Sequence, residues 1–359
     1  MSGTSMDGID AALMKTDGKQ IIESIATISL SYSPEFKLSL RKAELSVKSA
    51  KKNVAPLEVI NQSTELHAEI VLNLIKKANL EKTDIDLIGY HGQSLYHNPS
   101  EGITIQMGDG QLLANLTGIS VVNDFRSEDL KNAGQGAPLA PLYHQALALK
   151  LNLFPATFIN CGGISNVSII KGEDETQISG FDTGPGNVLI DRYIRQATDN
   201  QEFMDLDGKY GLQGTLNHHV LEKLIYSIKP YLDKSAPKSL DPNDLQLIKK
   251  IDDLSIYDAC ATLEYFTAYC IAKNIDPTHI IILAGGGWNN PVILRDLKLL
   301  LPSTKIYTAD EANLDSAYME AEIFAYLAVR SLYKLPISLS SVTGAKISSS
   351  GGKIYIPII

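Results

Sequence analysis

Apolar residues along this chain follow two rhythms, short β-rich runs and longer stripes at helical spacing, and the two alternate from end to end. Ala11 to Met14, Ile21 to Leu30, Leu87 to Tyr90, Thr104 to Met107, Ile119 to Phe125, Thr157 to Asn160, Val167 to Ile170 and Ile280 to Leu283 read as strands. Leu66, Ile70, Leu74 and Ala78 stand at four-residue spacing and predict an amphipathic helix over Glu58 to Leu80. Further helices are expected over Gln111 to Leu116, His144 to Leu151, Val292 to Leu301 and Asp315 to Leu332. Asn290 is placed to cap the helix that begins at Val292, with Pro291 at its first position. Phe36 to Lys52 is lysine-rich and reads as a solvated helix or loop. Asn132 to Pro141, crowded with Gly and Pro, reads as a loop or a crossover between domains.

The two rhythms meet most clearly in Ile178 to Asp191, I-S-G-F-D-T-G-P-G-N-V-L-I-D. An apolar approach ends at Phe181 and Asp182, Gly184-Pro185-Gly186 turns the chain, and Asn187 opens a helical run through Val188, Leu189, Tyr193 and Ile194. Asp182 then stands at the mouth of a strand, close to backbone N–H groups without intrahelical partners. Two readings are open: a carboxylate held ionised and aimed at a ligand, or an Asx-type turn beside Gly and Pro.

Other polar turns sit at strand ends in the same way. Gly3 to Gly8 of M-S-G-T-S-M-D-G-I-D reads as a hairpin tip whose hydroxyls and amides can wrap a phosphate, or as a surface turn. The strand entering that tip is missing or reduced to Met1 and Ser2. Cys161 to Asn166, C-G-G-I-S-N, repeats the grammar in the second half, and two such hairpins can face each other across a cleft. Ile280 to Leu283 delivers A-G-G-G-W-N-N-P, where Gly285 to Gly287 let a ligand approach the backbone. Leu87 to Tyr90 delivers H-G-Q-S, His91 to Ser94, and Ile119 to Phe125 presents Asp124, Arg126 and Asp129. In the last long helix, Ala317, Phe324 and Leu327 stand three, four and seven residues from Glu320, which sets a carboxylate in an apolar stripe. An unpaired buried carboxylate is costly, so either Glu320 lines a polar cavity or the buried face is rotated by one residue.

Composition narrows the function classes. With 359 residues, 44% of them hydrophobic, the chain has enough material for two domains and a cleft between them. A net charge of −9 and the lack of a long basic block argue against a nucleic-acid footprint or an anionic membrane surface, leaving a small molecule as the expected partner. Cys161, Cys260 and Cys270 form no C-x-x-C pair, and His218-His219 lacks the spacing that puts two ligands on one helix face. No metal site built from protein side chains is expected, and the thiols suit a reducing cytoplasm. Ile280 to Ala284, the purest apolar run, falls far short of the roughly 20 residues needed to span a bilayer.

Paired hairpins with Gly, Ser and Thr tips, an Asp on a strand end, and a later strand with a Gly-rich tail resemble the ATPase core shared by sugar kinases, actin and Hsp70-type chaperones. Within that group the chain resembles the anhydro-N-acetylmuramic acid kinase family. The stretches that carry the resemblance are 1–10, H-G-Q-S (91–94), V-N-D-F-R (122–126), G-Q-G-A-P-L-A-P (134–141), N-C-G-G-I-S-N (160–166), G-F-D-T-G-P-G-N (180–187), A-G-G-G-W-N-N (284–290), E-A-E-I-F-A-Y-L-A (320–328) and V-T-G-A (342–345). The departures are Ser94 where Thr is commoner, Cys161 where an apolar residue is usual, and Glu322 in place of a usual Met.

The resemblance implies a two-domain, actin-like (ribonuclease H-like) α/β fold with an ATP cleft between domains, residues 1–128 with 315–359 forming one and 129–314 the other. It implies ATP with Mg²⁺, a cytoplasmic homodimer, and a single reaction. Water opens the 1,6-anhydro ring of anhydro-N-acetylmuramic acid while O6 takes the γ-phosphoryl group, giving N-acetylmuramic acid 6-phosphate and ADP in cell-wall recycling. Carried over by position, Gly3, Thr4, Ser5, Met6, Asp7, Gly8, Ile9 and Asp10 would bind the ATP phosphates, with Gly162 and Gly163 opposite them. Gly285, Gly286 and Gly287 would lie against the nucleoside. Asp182 would take the water proton, a weak base ionised at neutral pH, and Gln93, Arg126 and Glu320 would hold the sugar. A kinase of another sugar and a non-catalytic, actin-like nucleotide-binding module are the alternatives.

Overall fold

The computed structural model describes residues 1–3, 6–241, 244–247 and 249–358. The first half of the chain runs β1 (Gly8–Thr16), β2 (Ile22–Ser31), α1 (Pro34–Ala50), α2 (Leu57–Lys77), β3 (Ile88–Gly89), β4 (Gln93–Asn98), β5 (Ile103–Met107), α3 (Gly110–Thr117), β6 (Val121–Asn123), α4 (Ser127–Lys131) and α5 (Pro141–Leu151). Then follow β7 (Ala156–Cys161), β8 (Ile164–Ile170), β9 (Ile178–Pro185), α6 (Val188–Ala197), α7 (His218–Leu232), α8 (Ile256–Ala272), β10 (Ile280–Ala284), α9 (Pro291–Leu300) and β11 (Ile306–Thr308). The chain closes with α10 (Met319–Leu332), α11 (Ser340–Thr343) and β12 (Lys353–Tyr355).

Two compact units result, Met1–Asn152 with Tyr318–Ile359, and Leu153–Ala317. The division after Asn152 falls later than the expected one after residue 128 because polar contacts tie the intervening residues to the first unit. The carboxylate of Asp129 accepts from the Gly136 N–H at 2.6 Å and the Thr343 hydroxyl at 2.7 Å, and Tyr143 donates to Glu322 at 2.6 Å. Glu322, standing where the family usually has Met, is thus a buried carboxylate with a dedicated donor.

In the second unit β7, β8 and β9 form an antiparallel meander, and β10 and β11 add in parallel on the other side of β7. The spatial order β9-β8-β7-β10-β11 is the ribonuclease H-like arrangement expected. The parallel strand β10 reads I-I-I-L-A with little polar interruption because both of its faces are covered. Its core gathers Ile159, Val167, Leu189, Ile194, Phe266, Ile281 and Ile293.

The first unit carries the β1–β2 hairpin, with Ile9, Phe36, Leu40, Val47, Ile70, Leu74, Leu95 and Met107 buried beneath it. Here α1 departs from the solvated reading of Phe36 to Lys52. Ser33 caps it, and Phe36, Leu40, Ala43 and Val47 form a buried stripe at helical spacing behind the lysines. A second small sheet sets β3 parallel and β12 antiparallel to β6. Met1 and Asp10 exchange two backbone hydrogen bonds, at 2.8 and 2.9 Å.

Candidate active site

The second unit brings its two glycine turns together. Gly162 and Gly163 join β7 to β8, and their carbonyls accept from the backbone N–H groups of Gly186, Asn187 and Val188 at 2.8 to 3.1 Å, at the start of α6. The tip is thus pinned by donors that the helix could not satisfy itself. Gly285, with φ of 90°, and Gly287 press against the same turn. A Cβ on Gly285 would meet Asn160 Oδ1 at 2.3 Å, and one on Gly287 would meet Cys161 Sγ at 2.5 Å. By contrast, a Cβ at Gly163 or Gly286 would meet nothing within 4 Å. The arrangement pairs two glycines required by packing with two that face open space. Cys161, beneath the turn, is buried, and burial pushes its thiol up to about 12, so it serves as packing and not as a nucleophile.

Asp182 lies within β9, paired with Asn166 of β8. The expected partner, the first turn of α6, does not hold it. Its Oδ2 accepts from the Leu240 N–H at 2.9 Å, its own N–H donates to the Lys238 carbonyl at 3.0 Å, and its carbonyl accepts from the Tyr231 hydroxyl at 2.6 Å. The Asx-turn reading does not describe these contacts. Burial raises the carboxyl pKa to about 6, with the Leu240 hydrogen bond opposing the rise, which makes it a stronger base than an ordinary aspartate while leaving it ionised at neutral pH.

The first unit gathers Met1, Asp10, His91, Arg126 and Glu320. Arg126 donates to the Gly136 carbonyl at 2.7 Å and directs Nε and Nη2 to His91 Nε2 at 3.2 and 3.0 Å. His91 Nδ1 lies 2.9 Å from the Gly92 carbonyl, which assigns its proton to Nδ1 and leaves Nε2 as the acceptor. Burial and the adjacent guanidinium hold this imidazole neutral, well below its usual range. Burial lowers Arg126 to about 10, opposed by the charges of Glu320 and Asp129. Glu320 is solvent-accessible, yet the surrounding protein raises its carboxyl, opposed by Arg126 and the Met1 amine. Burial lowers that amine to about 6, with Asp10 and Glu320 acting the other way. In α10, Phe324 and Leu327 of the expected stripe are buried together with Glu322, while Glu320 stays accessible beside Arg126.

Residues 1–357 match the sequence profile of the family described as anhydro-N-acetylmuramic acid kinase. The chain belongs to the anhydro-N-acetylmuramic acid kinase family. It is similar to proteins of that name from Rhizobium etli, 37% identical over 99% of this chain and 97% of the relative, and from Brucella canis, 38% identical over 98% and 96%. Agrobacterium fabrum supplies another, 37% identical over 98% of this chain and 96% of its own length. Among solved structures, the Acidaminococcus fermentans (R)-2-hydroxyglutaryl-CoA dehydratase component A is 14% identical, covers 91% of this chain and 96% of its own, and gives a TM-score of 0.45. A ROK hexokinase from Thermus thermophilus is 11% identical, covers 90% and 99%, and gives 0.36.

Within this member of the anhydro-N-acetylmuramic acid kinase family, several expected site residues take other tasks. Gln93 is wholly buried, and its amide bonds Ser2 Oγ at 2.5 Å and the Gly3 carbonyl at 2.9 Å, so it supports the first hairpin from below. Met6 and Ile9 place their side chains in the core. The N–H groups of Met6 and Asp10 are already donated to Gly3 and Met1. Gly3, Asp7 and Gly8 remain candidates for the phosphate, and Asp7 keeps 75% of its side chain exposed. Thr4 and Ser5 lie outside the described residues. His91 stands in the H-G-Q-S motif, where a lone histidine carries no spacing signal. Tyr231 and Leu240, which hold Asp182, follow it by 49 and 58 residues and left no local mark.

Proposed function

We infer that the protein is an ATP-dependent kinase of 1,6-anhydro-N-acetylmuramic acid, forming N-acetylmuramic acid 6-phosphate and ADP in cell-wall recycling. The observation that carries this reading is the match across residues 1–357. Asp182 acts as the general base. Water attacks C1 of the sugar and gives a proton to Asp182. The C1–O6 bond breaks, O6 bonds to the γ-phosphorus, and the bond from that phosphorus to the ADP oxygen breaks. A base with a pKa near 6 is ionised at neutral pH yet stronger than an ordinary aspartate, and the Leu240 N–H fixes its direction. Alignment and charge stabilisation supply the rest, since phosphoryl transfer needs little covalent chemistry from the protein.

Arg126 and Glu320 are assigned to the sugar. The guanidinium, fixed by His91 and Gly136, offers directed donors, and the accessible carboxylate accepts hydroxyls. Gly3, Asp7, Gly8, Gly162 and Gly163 are assigned to the ATP phosphates, and Gly285 to Gly287 to the nucleoside; the open space beside Gly163 and Gly286 supports this. Mg²⁺ belongs to the same reading. Such an ion is carried by nucleotide phosphates with one or two carboxylates. Asp7 and Asp10, on either side of Gly8, fit that need, and the bound ion would neutralise charge on the phosphoryl oxygens.

A cytoplasmic homodimer completes the proposal. The three described cysteines are all free and buried, which suits a reducing compartment. Phe203, Met204, Leu206 and Leu212 expose large apolar side chains within one short segment and supply surface for a self-interface. No helix among the described residues is long and apolar enough to cross a membrane. The test of the function is ATP consumption with and without 1,6-anhydro-N-acetylmuramic acid. Consumption that requires the sugar supports the reading; hydrolysis indifferent to the sugar contradicts it.

A further inference from the structure

Glu264, on α8, is fully buried and takes no part in the chemistry above. Its Oε1 accepts from Asn290 Nδ2 at 2.6 Å, and Asn290 Oδ1 accepts in turn from the Val292 N–H at 2.9 Å. Asn290 is the residue that ends the Gly286–Asn289 turn and caps α9. The amide is therefore clamped at both ends, between a buried carboxyl and the first turn of the helix that follows the glycine loop.

The other oxygen, Oε2, meets no donor and is buried against Gly211, whose N–H donates to Asp205 Oδ2, which makes the two carboxyl groups neighbours. Asp205 already accepts from the Tyr210 and Gly211 N–H groups, both at 2.9 Å. Gly211 is packed so closely on Glu264 that a Cβ there would come to 1.7 Å from Oε2. Two carboxyl oxygens that face each other are both acceptors, and the contact is satisfied only if one carries a proton. The Asp205 carboxyl already accepts from two backbone N–H groups while Glu264 Oε2 has no partner, so the proton belongs to Glu264. The surroundings agree. Asp205 lies on the segment before Gly208, Asp296 on α9 and Cys260 one turn back on α8, and the Arg295 guanidinium is bonded to Asp296 at 2.8 Å.

We propose that Glu264 is a positioning residue for nucleotide binding: carrying a proton donated to Asp205, it orients the Asn290 amide and through it the glycine turn Gly285–Asn289. The inference rests on assigning that turn to the nucleoside. Burial, then the neighbouring acids, raise Glu264 to about 9, opposed by the Asn290 hydrogen bond. Ionisation would turn the shared contact into repulsion between two carboxylates and loosen the clamp.

The experiment is calorimetric titration with Mg²⁺-ADP between about pH 7 and 10, with melting curves in parallel, on the parent, Glu264→Gln and Asn290→Ala. Gln keeps both contacts, accepting from Asn290 and donating to Asp205, but cannot ionise. The parent is expected to lose about tenfold in affinity within one pH unit above the Glu264 pKa, while Glu264→Gln stays flat. Asn290→Ala is expected to bind more weakly at every pH and to show no such slope. Because Glu264 holds a proton in the folded protein that the unfolded chain gives up near its usual 4.5, the parent loses stability as pH rises from that value towards about 9. Glu264→Gln escapes that loss, and this readout needs no nucleotide. Matching melting profiles in the two proteins would overturn the shared proton. Divergent melting with the same pH slope of ADP affinity would overturn the positioning role alone. A parent that binds no ADP at neutral pH would instead remove the nucleoside assignment of the turn, and this inference with it.

Discussion

In the proposed reaction the chemistry concentrates on Asp182, whose strength as a base would come from its surroundings. Burial against β8 and the segment around Leu240 lifts its pKa to about 6, and the single Leu240 N–H keeps the lift modest. The rate should therefore fall on the acid side, about tenfold per unit below pH 6, as Asp182 takes up the proton it must accept from water. A profile of kcat/KM against pH checks this; a limb near pH 4 would mean that Asp182 behaves as an exposed aspartate. Asp182→Asn should keep sugar and ATP binding while losing roughly 10² to 10⁴ in kcat. Loss of both ligands instead would recast the residue as structural. The same shift sets a stability trend. A carboxyl whose folded pKa stands above its usual 3.8 stabilises the fold at low pH and loses that contribution as pH rises through about 6, so Asp182→Asn should melt no lower than the parent at neutral pH. The sequence pointed to Asp182 through G-F-D-T-G-P-G-N, but its pKa was illegible because Tyr231 and Leu240 arrive from distant positions. Gln93 shows the converse: its motif was readable, while its burial under Ser2 and Gly3 depends on tertiary packing.

At the scale of elements, the glycine turns separate what the fold needs from what a ligand needs. Gly287→Ala forces a Cβ to 2.5 Å from Cys161 Sγ and 2.7 Å from the Cys161 carbonyl, and should lower the melting temperature. Gly286→Ala meets no protein atom within 4 Å, so it should melt with the parent yet bind ADP more weakly. Paired melting and titration check the contrast; equal ADP affinity in Gly286→Ala and the parent would move the nucleoside elsewhere. The β-meander and the capped helix at Asn290 were legible from alternation and cap chemistry. Strand β12, only Lys353–Tyr355, was too short for period alone to settle its pairing with β6. The buried stripe of α1 was masked by the lysines that share the helix.

At the scale of the whole molecule, ordered motifs over nearly the full length made the family readable where each motif alone was weak. The first domain boundary was not readable, since Asp129 and Tyr143 join their unit through contacts to Thr343 and Glu322, about two hundred residues onward. The proposed homodimer would give a mass near twice that of one chain by light scattering, and Phe203→Glu with Leu206→Glu should shift it towards the monomer. The central claim is that one turnover joins hydrolysis of the anhydro ring to phosphorylation of O6. Incubation with ATP, Mg²⁺ and 1,6-anhydro-N-acetylmuramic acid in ¹⁸O-labelled water, followed by mass spectrometry, tests it directly. A 6-phosphorylated sugar carrying the label at C1 is the expected product; a phosphorylated sugar without label at C1, or ADP formed with the sugar unchanged, would contradict it.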